Sequence, residues 1–239
     1  MSGHSKWANI RRKKERTDAK RGKTFSHIAR EIISAVKQGG SNPSANAKLR
    51  LALQKAKAAN FPSDNIERNI KKAASSDQEN FYSVIYELYG HGGVGIIVDT
   101  MTDNKNRTAS EIRIAINKKG GTIASPGSVT FNFDRKGVIQ IDKNQAVEEE
   151  LFVQATDVGA EDFEITDDTY IVITPPNKLF EVKEGLEAYN LFIREFGLEM
   201  IPKNSIACND RMKQVNYALV DYLEELDDVH AVFHNMEDD

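Results

Sequence analysis

Residues 137–174 read GVIQIDKNQAVEEELFVQATDVGAEDFEITDDTYIVIT, and this stretch decides the fold class. Gly137–Asp142, Asp162–Thr166 and Thr169–Thr174 are short apolar, β-branched runs, the pattern of strands. Gln145–Val158 between them has the spacing and length of a helix. Continuing outward, Pro176–Tyr189 predicts a second helix and Ile193–Ile201 a fourth strand. The order β-α-β-β-α-β is the split arrangement of a ferredoxin-like unit.

Toward the N-terminus, Tyr82–Tyr89 and Val94–Met101 flank Gly90-His91-Gly92-Gly93 and predict a hairpin. Thr108 and Glu111 form a T-x-x-E box that would open a helix reaching Lys119, with Gly120-Gly121 ending it. Val129–Asp134 reads as the next strand. Beyond the ferredoxin-like unit, Met212–Leu226 predicts a helix and Val229–His234 a strand. These two have no neighbours unless they return to residues 80–134. The expectation is a discontinuous α+β domain, 80–134 plus 205–239, with residues 135–204 inserted as the ferredoxin-like domain.

The first third of the chain is different. Phe25, Ile28, Ala29, Ile32, Ile33 and Val36 fall at i, i+3, i+4, i+7, i+8 and i+11, one face of a helix that Gly39-Gly40 stops. Asn42-Pro43 reads as the N-cap and first-turn proline of a second helix, striped by Ala45, Leu49, Ala52, Leu53 and Ala56. Asn60-Phe61-Pro62 breaks it. A third helix is predicted from near Asp64, with Glu67 at capping-box spacing and Ile66, Ile70 and Ala73 inward. Residues 25–78 are thus expected to form a three-helix domain. Residues 1–24 carry too few apolar groups to offset their ordering entropy, and predict a flexible basic segment. The fold class is α+β, with a three-helix N-terminal domain followed by two α+β domains.

Charge follows the same division. The 239 residues hold 32 Lys and Arg against 36 Asp and Glu, a net of −4. Residues 1–75 alone hold 18 basic and 5 acidic groups, a net of +13, leaving −17 for residues 76–239. Such asymmetry points to an anionic partner for the basic part. A single cysteine, Cys208, excludes a disulfide framework. No stretch has the roughly 20 apolar residues of a membrane helix, and the N-terminus lacks the apolar core of a secretory signal. A cytoplasmic protein without membrane contact is expected.

Lys6, Arg11, Arg12, Lys13, Lys14, Arg16, Lys20, Arg21 and Lys23 crowd the first segment, with Trp7 among them. Flexible Lys and Arg neutralise regularly spaced phosphates with counterion release and need no fixed pocket. Trp7 could stack on a base. Arg30, Lys48, Arg50, Lys55 and Lys57 extend the basic composition into the helices, and Lys105 and Arg107 add cations in the polar loop 103–108. A solvated outer face would use the same residue types, so the inference rests on their collective excess. No zinc finger, RRM signature or clear helix-turn-helix pair is present, which favours backbone and shape recognition over base reading.

Other motifs reduce to structure. Gly90 to Gly95 satisfies G-x-G-x-x-G, but a dinucleotide fingerprint needs a helix after it, and Ile96-Ile97-Val98 continue as strand. His230 and His234 lie four apart in a strand-like run and are not expected to bind metal. Walker A, G-x-S-x-G and H-E-x-x-H motifs are absent, so neither catalytic residues nor a cofactor are expected. The clusters Glu148-Glu149-Glu150, Asp167-Asp168, Glu224-Glu225 and Asp227-Asp228 read as helix surfaces, turns, or contacts for protein partners.

Several long segments resemble the YebC/PmpR family: SGHSKWANI at the start, DAKRGKTF at 18–25, LRLALQKAKAANFPSDNIER at 49–68, TDNKNRT at 102–108, GSVTFNF at 127–133 and LDDVHAVFHN at 226–235. The family commonly reads YEGYGPGG where this chain has Tyr86 to Gly93 as YELYGHGG, so Leu88 and His91 depart from the pattern. The resemblance implies a three-domain cytoplasmic regulator of gene expression without enzymatic chemistry. It further implies a probable DNA-binding transcriptional regulator or, as the alternative, a ribosome-associated translation factor on ribosomal or transfer RNA. A mitochondrial relative of that family is a translational activator of cytochrome c oxidase.

Overall fold

The computed structural model describes residues 21–75 and 80–237, with only the backbone of Arg21. In chain order the elements are α1 (Arg21–Gly39), α2 (Ala47–Ala58), α3 (Ser63–Ala74), β1 (Tyr82–Tyr89), β2 (Gly95–Thr102), α4 (Lys105–Lys119) and β3 (Thr122–Ile123). They continue with β4 (Phe133–Asp142), α5 (Glu148–Asp157), β5 (Asp162–Ile165), β6 (Thr169–Thr174), α6 (Leu179–Ala188), β7 (Ile193–Pro202), α7 (Asp210–Glu225) and β8 (Val229–His234).

The three N-terminal helices bury the stripe that the periodicity marks. Ile28, Ile32, Ile33 and Val36 of α1 meet Leu49, Ala52 and Ala56 of α2 and Ala73 of α3. Phe25 packs edge-on against Phe61 at 5.0 Å. Two expectations fail locally. α1 begins at Arg21, so residues 21–24 are helical and not part of a flexible segment. The cap of α2 is Asn46, not Asn42. The Asn42 carboxamide accepts from Ser44 N in a local turn, an alternative that Asn side chains offer the backbone. Buried Asn46 accepts from Leu49 N at 3.1 Å and donates to Ala35 O and Gly40 O at 2.7 and 2.9 Å, closing one helix while opening the next. α3 is preceded by Pro62, without a side-chain cap.

The first sheet is ordered β3-β1-β2-β8, with antiparallel neighbours. Leu88, Ile96, Val98 and Val232 face α4 and α7, whose Ile112, Ala115, Leu219 and Leu223 complete the core. α4 is capped by Asn104, which accepts from Asn106 N and Arg107 N. Thr108 lies inside the helix and is buried, so the T-x-x-E box does not open it. Val129 is not in a strand. Residues 127–130 wrap around the buried Glu87 carboxylate, which accepts from Gly127 N, Val129 N and Thr130 N at 2.6–2.8 Å. Burial raises this carboxyl's pKa, but the three N–H donors outweigh burial and hold it below the usual range. The two strands expected at 129–134 and 137–142 are one, β4.

The second sheet runs β5-β6-β4-β7, every neighbouring pair antiparallel. This is the strand order of a ferredoxin-like unit. Ile139, Ile141, Tyr170 and Val172 pack against Leu151 of α5 and Leu179, Val182 and Leu186 of α6. Phe131–Ser205 forms one compact unit, and the described residues to Thr130 together with Ile206–Met236 form another. The fold is α+β, three N-terminal helices followed by two antiparallel sheets with their helices.

Candidate nucleic-acid interface

The candidate cations divide into those at the surface and those joined to the rest of the protein. Lys6, Trp7, Arg11, Arg12, Lys13, Lys14, Arg16 and Lys20 lie outside the described residues, as does the Arg21 side chain. On α2, Lys48, Arg50 and Lys57 are exposed, joined on α3 by Arg68, Lys71 and Lys72. These two helices carry only two acids, Asp64 and Glu67, both near the start of α3. The surface cations have light local tethers: Lys48 Nζ donates to Gln38 Oε1 at 2.6 Å, and Arg50 donates to Pro43 O at 3.1 Å and Ser44 O at 3.3 Å. Neutral tethers leave the positive charge uncompensated.

Lys23, Arg30, Lys55 and Arg107 are used differently. Lys23, His27, Arg30 and Glu31 fall at i, i+4, i+7 and i+8 on α1, a second and polar face of that helix. Lys23 Nζ donates to Glu224 O and Leu226 O, capping the carbonyl end of α7 where a cation suits both the orphan acceptors and the helix dipole. Arg30 donates to Asp227 O at 2.7 Å and pairs with Asp228 at 3.3 Å. The His27 ring N–H donates to Asp227 O at 3.2 Å, and the ring stacks on His230 at 4.4 Å. Glu31 accepts from Lys55 at 2.8 Å and meets His230 Nε2 at 2.5 Å.

Asp228 is the buried centre of this junction. Its carboxylate accepts from Thr102 and Thr108 hydroxyls at 3.0 and 2.8 Å and from Arg107 Nη2 at 2.7 Å. That pairing, with Asp103 adding to it, raises the Arg107 pKa further. Arg107 thus holds a structural ion pair while its side chain stays 43% exposed. A buried carboxylate needs a charge partner and hydrogen bonds. Burial alone would raise Glu31, but the His230 hydrogen bond and the Lys55 charge hold it at about 2. Burial, then His230 and the neighbouring cations, push His27 down to about 3.

This junction is what reading the sequence missed. Glu224-Glu225 and Asp227-Asp228 looked like surface acids, and His27 and Glu31 drew no notice. The available signal was the polar i, i+4, i+7, i+8 set on α1, opposite in type to its apolar face.

Lys105 is exposed, its ammonium 4.5 Å from the Tyr82 ring centroid. The Gly90 to Gly95 motif is a hairpin turn. Gly90 N donates to Val94 O at 2.8 Å, and buried Asn216 bonds both N and O of His91. The His91 ring lies over Gly120, where the space for a side chain is taken and φ is +86°. His230 and His234 lie on β8. Among the described residues no group of three or more His, Cys, Asp or Glu is arranged to hold a metal ion. Cys208 is half-buried, and burial pushes its thiol pKa up. No helix among the described residues is long and apolar enough to cross a membrane.

Residues 5–76 match the TACO1/YebC protein N-terminal domain, and residues 81–236 match the TACO1/YebC second and third domain. The chain is 58% identical over 236 residues to a probable transcriptional regulatory protein of Protochlamydia amoebophila (strain UWE25), covering 99% of this chain and 96% of that one. It is 52% identical to a probable transcriptional regulatory protein of Chlamydia pneumoniae, over 99% of this chain and 100% of the other. Among solved structures, a conserved hypothetical protein of Aquifex aeolicus superposes with a TM-score of 0.87 at 44% identity, covering 98% of this chain and 97% of that one. The chain belongs to the TACO1/YebC family.

Proposed function

We propose that this member of the TACO1/YebC family is a non-enzymatic regulator of gene expression that acts in the cytoplasm, binding nucleic acid through its basic N-terminal domain as a DNA-binding transcriptional regulator. The names of its relatives support the regulator role. One observation carries the binding reading: Lys48, Arg50, Lys57, Arg68, Lys71 and Lys72 are exposed on two helices that hold only Asp64 and Glu67 as acids. The basic residues at 6–20 add to that charge. Phosphates would be neutralised with counterion release, so affinity falls steeply with salt. Meanwhile the acidic remainder repels phosphate and orients the basic domain toward it.

A ribosome-associated translation factor on ribosomal or transfer RNA is the second reading. It is favoured by the net −17 of residues 76–239, which suits contacts with the basic proteins that accompany ribosomal RNA. Footprinting on promoter-like against random duplexes, run beside ribosome co-sedimentation of the full chain, separates the two. Discrete protected sites support the transcriptional reading. Weak, uniform duplex binding with a salt-sensitive ribosomal pool supports translation. Nucleic-acid affinity that survives Lys and Arg neutralisation at 6–20 and on α2 and α3 contradicts both.

A further inference from the structure

Tyr82 opens β1 with 44% of its surface exposed. The Lys105 ammonium stands 4.5 Å from its ring centroid. Tyr86, on the same face of the strand, donates its hydroxyl to Lys105 O at 3.3 Å. Two residues before Tyr82, Asn80 accepts from Lys37 Nζ of α1 at 3.0 Å. The strip is therefore tied to the helical domain. Asp103 and Asp228 are each engaged by Arg107 at 2.7 Å.

An exposed ring beside a cation is the kind of surface that single-stranded nucleic acid uses: a base stacks on the ring and a phosphate meets the charge. A duplex hides its base faces and gains only the phosphate contacts. We propose that Tyr82, with Lys105 beside it, is a stacking site for one unpaired nucleotide, continuing the phosphate-binding surface of the helical domain by way of Lys37 and Asn80. This rests on the nucleic-acid reading above and deepens it, because the ligand then carries a single-stranded stretch.

The experiment is fluorescence anisotropy of the full chain with a labelled single-stranded oligonucleotide and with a duplex of the same sequence. Tyr82→Ala should lower single-strand affinity about tenfold, the size of a lost base stack, and leave duplex affinity unchanged. Tyr82→Phe, which keeps the ring, should bind as the unaltered chain does. Lys105→Gln should weaken single-strand binding and flatten its salt dependence. A thermal melt of Tyr82→Ala matching the unaltered chain excludes unfolding as the cause. Unchanged single-strand affinity in Tyr82→Ala, or equal losses on both ligands, overturns the stacking site and leaves the wider reading standing. Absence of binding by the unaltered chain to either ligand overturns both.

Discussion

Arg107 and Asp228 stand 121 residues apart in sequence and are joined at 2.7 Å, with the Asp228 side chain 2% exposed and the Arg107 side chain 43% exposed. The pair shows how the protein divides its positive charge. Some cations neutralise buried carboxylates and free carbonyls, while others stay at the surface.

Replacing Asp228 by Asn leaves Arg30 without its anion and Arg107 with Asp103 alone, and places an amide donor among hydroxyl and guanidinium donors. The expected cost is about 3 kcal/mol of folding stability, the scale of breaking a buried ion pair from one side. Arg107→Gln should cost less, because Asp228 keeps Arg30 and two threonine hydroxyls. Urea unfolding of the two variants measures the order.

The junction should weaken in acid. His27 is lowered from 6.5 to about 3, so between those values the unfolded chain binds a proton that the folded chain does not. Stability is therefore complete above pH 6.5 and falls as pH drops toward 3. Glu31, lowered from 4.5 to about 2, adds a loss below pH 4.5. His27→Gln should flatten the upper part of the profile by roughly 1–3 kcal/mol. A profile of unfolding free energy from pH 7 to pH 3 that is identical in the variant would contradict this.

Asn46→Ala removes a helix cap and two hydrogen bonds to carbonyls, for an expected loss of about 1–2 kcal/mol. Asn42→Ala, in the exposed turn, should change stability by no more than ~0.5 kcal/mol. Thermal denaturation of the two alanine variants tests the assignment of the cap directly.

Glu87→Gln keeps the side-chain shape but replaces one carboxylate oxygen by a donor that faces backbone N–H groups. A loss of roughly 1–3 kcal/mol is expected. Amide exchange at Gly127, Val129 and Thr130 should accelerate before the core of the first sheet responds.

The hydrophobic periods made most of this fold legible. A period near 3.6 marked the faces of α1 and α2, and apolar β-branched runs marked β4 and β6. The split order followed from chain succession alone. What misled were polar residues with two uses. Asn42-Pro43 and Thr108 with Glu111 carry capping letters, yet Asn42 satisfies its own turn and Thr108 bonds a carboxylate 120 residues away. Val129 looked like strand because its backbone partner is the Glu87 side chain, which has no signature in local sequence. The candidate site was legible as a charge excess and not as a division of labour. Lys23 and Lys57 look alike until the carbonyls at the end of α7 are known.

That division is the central claim, and the slope of log affinity against log salt on a duplex tests it most directly. Each phosphate contact contributes about 0.9 to the slope. Neutralising Lys48, Arg50, Lys57 and Lys71 to Gln should lower the slope by roughly 2 or more while leaving the melting temperature nearly unchanged. Neutralising Lys23 and Arg30 should lower the melting temperature and leave the slope as it was. A slope indifferent to the α2 and α3 changes, or one that falls only with Lys23 and Arg30, would contradict the account.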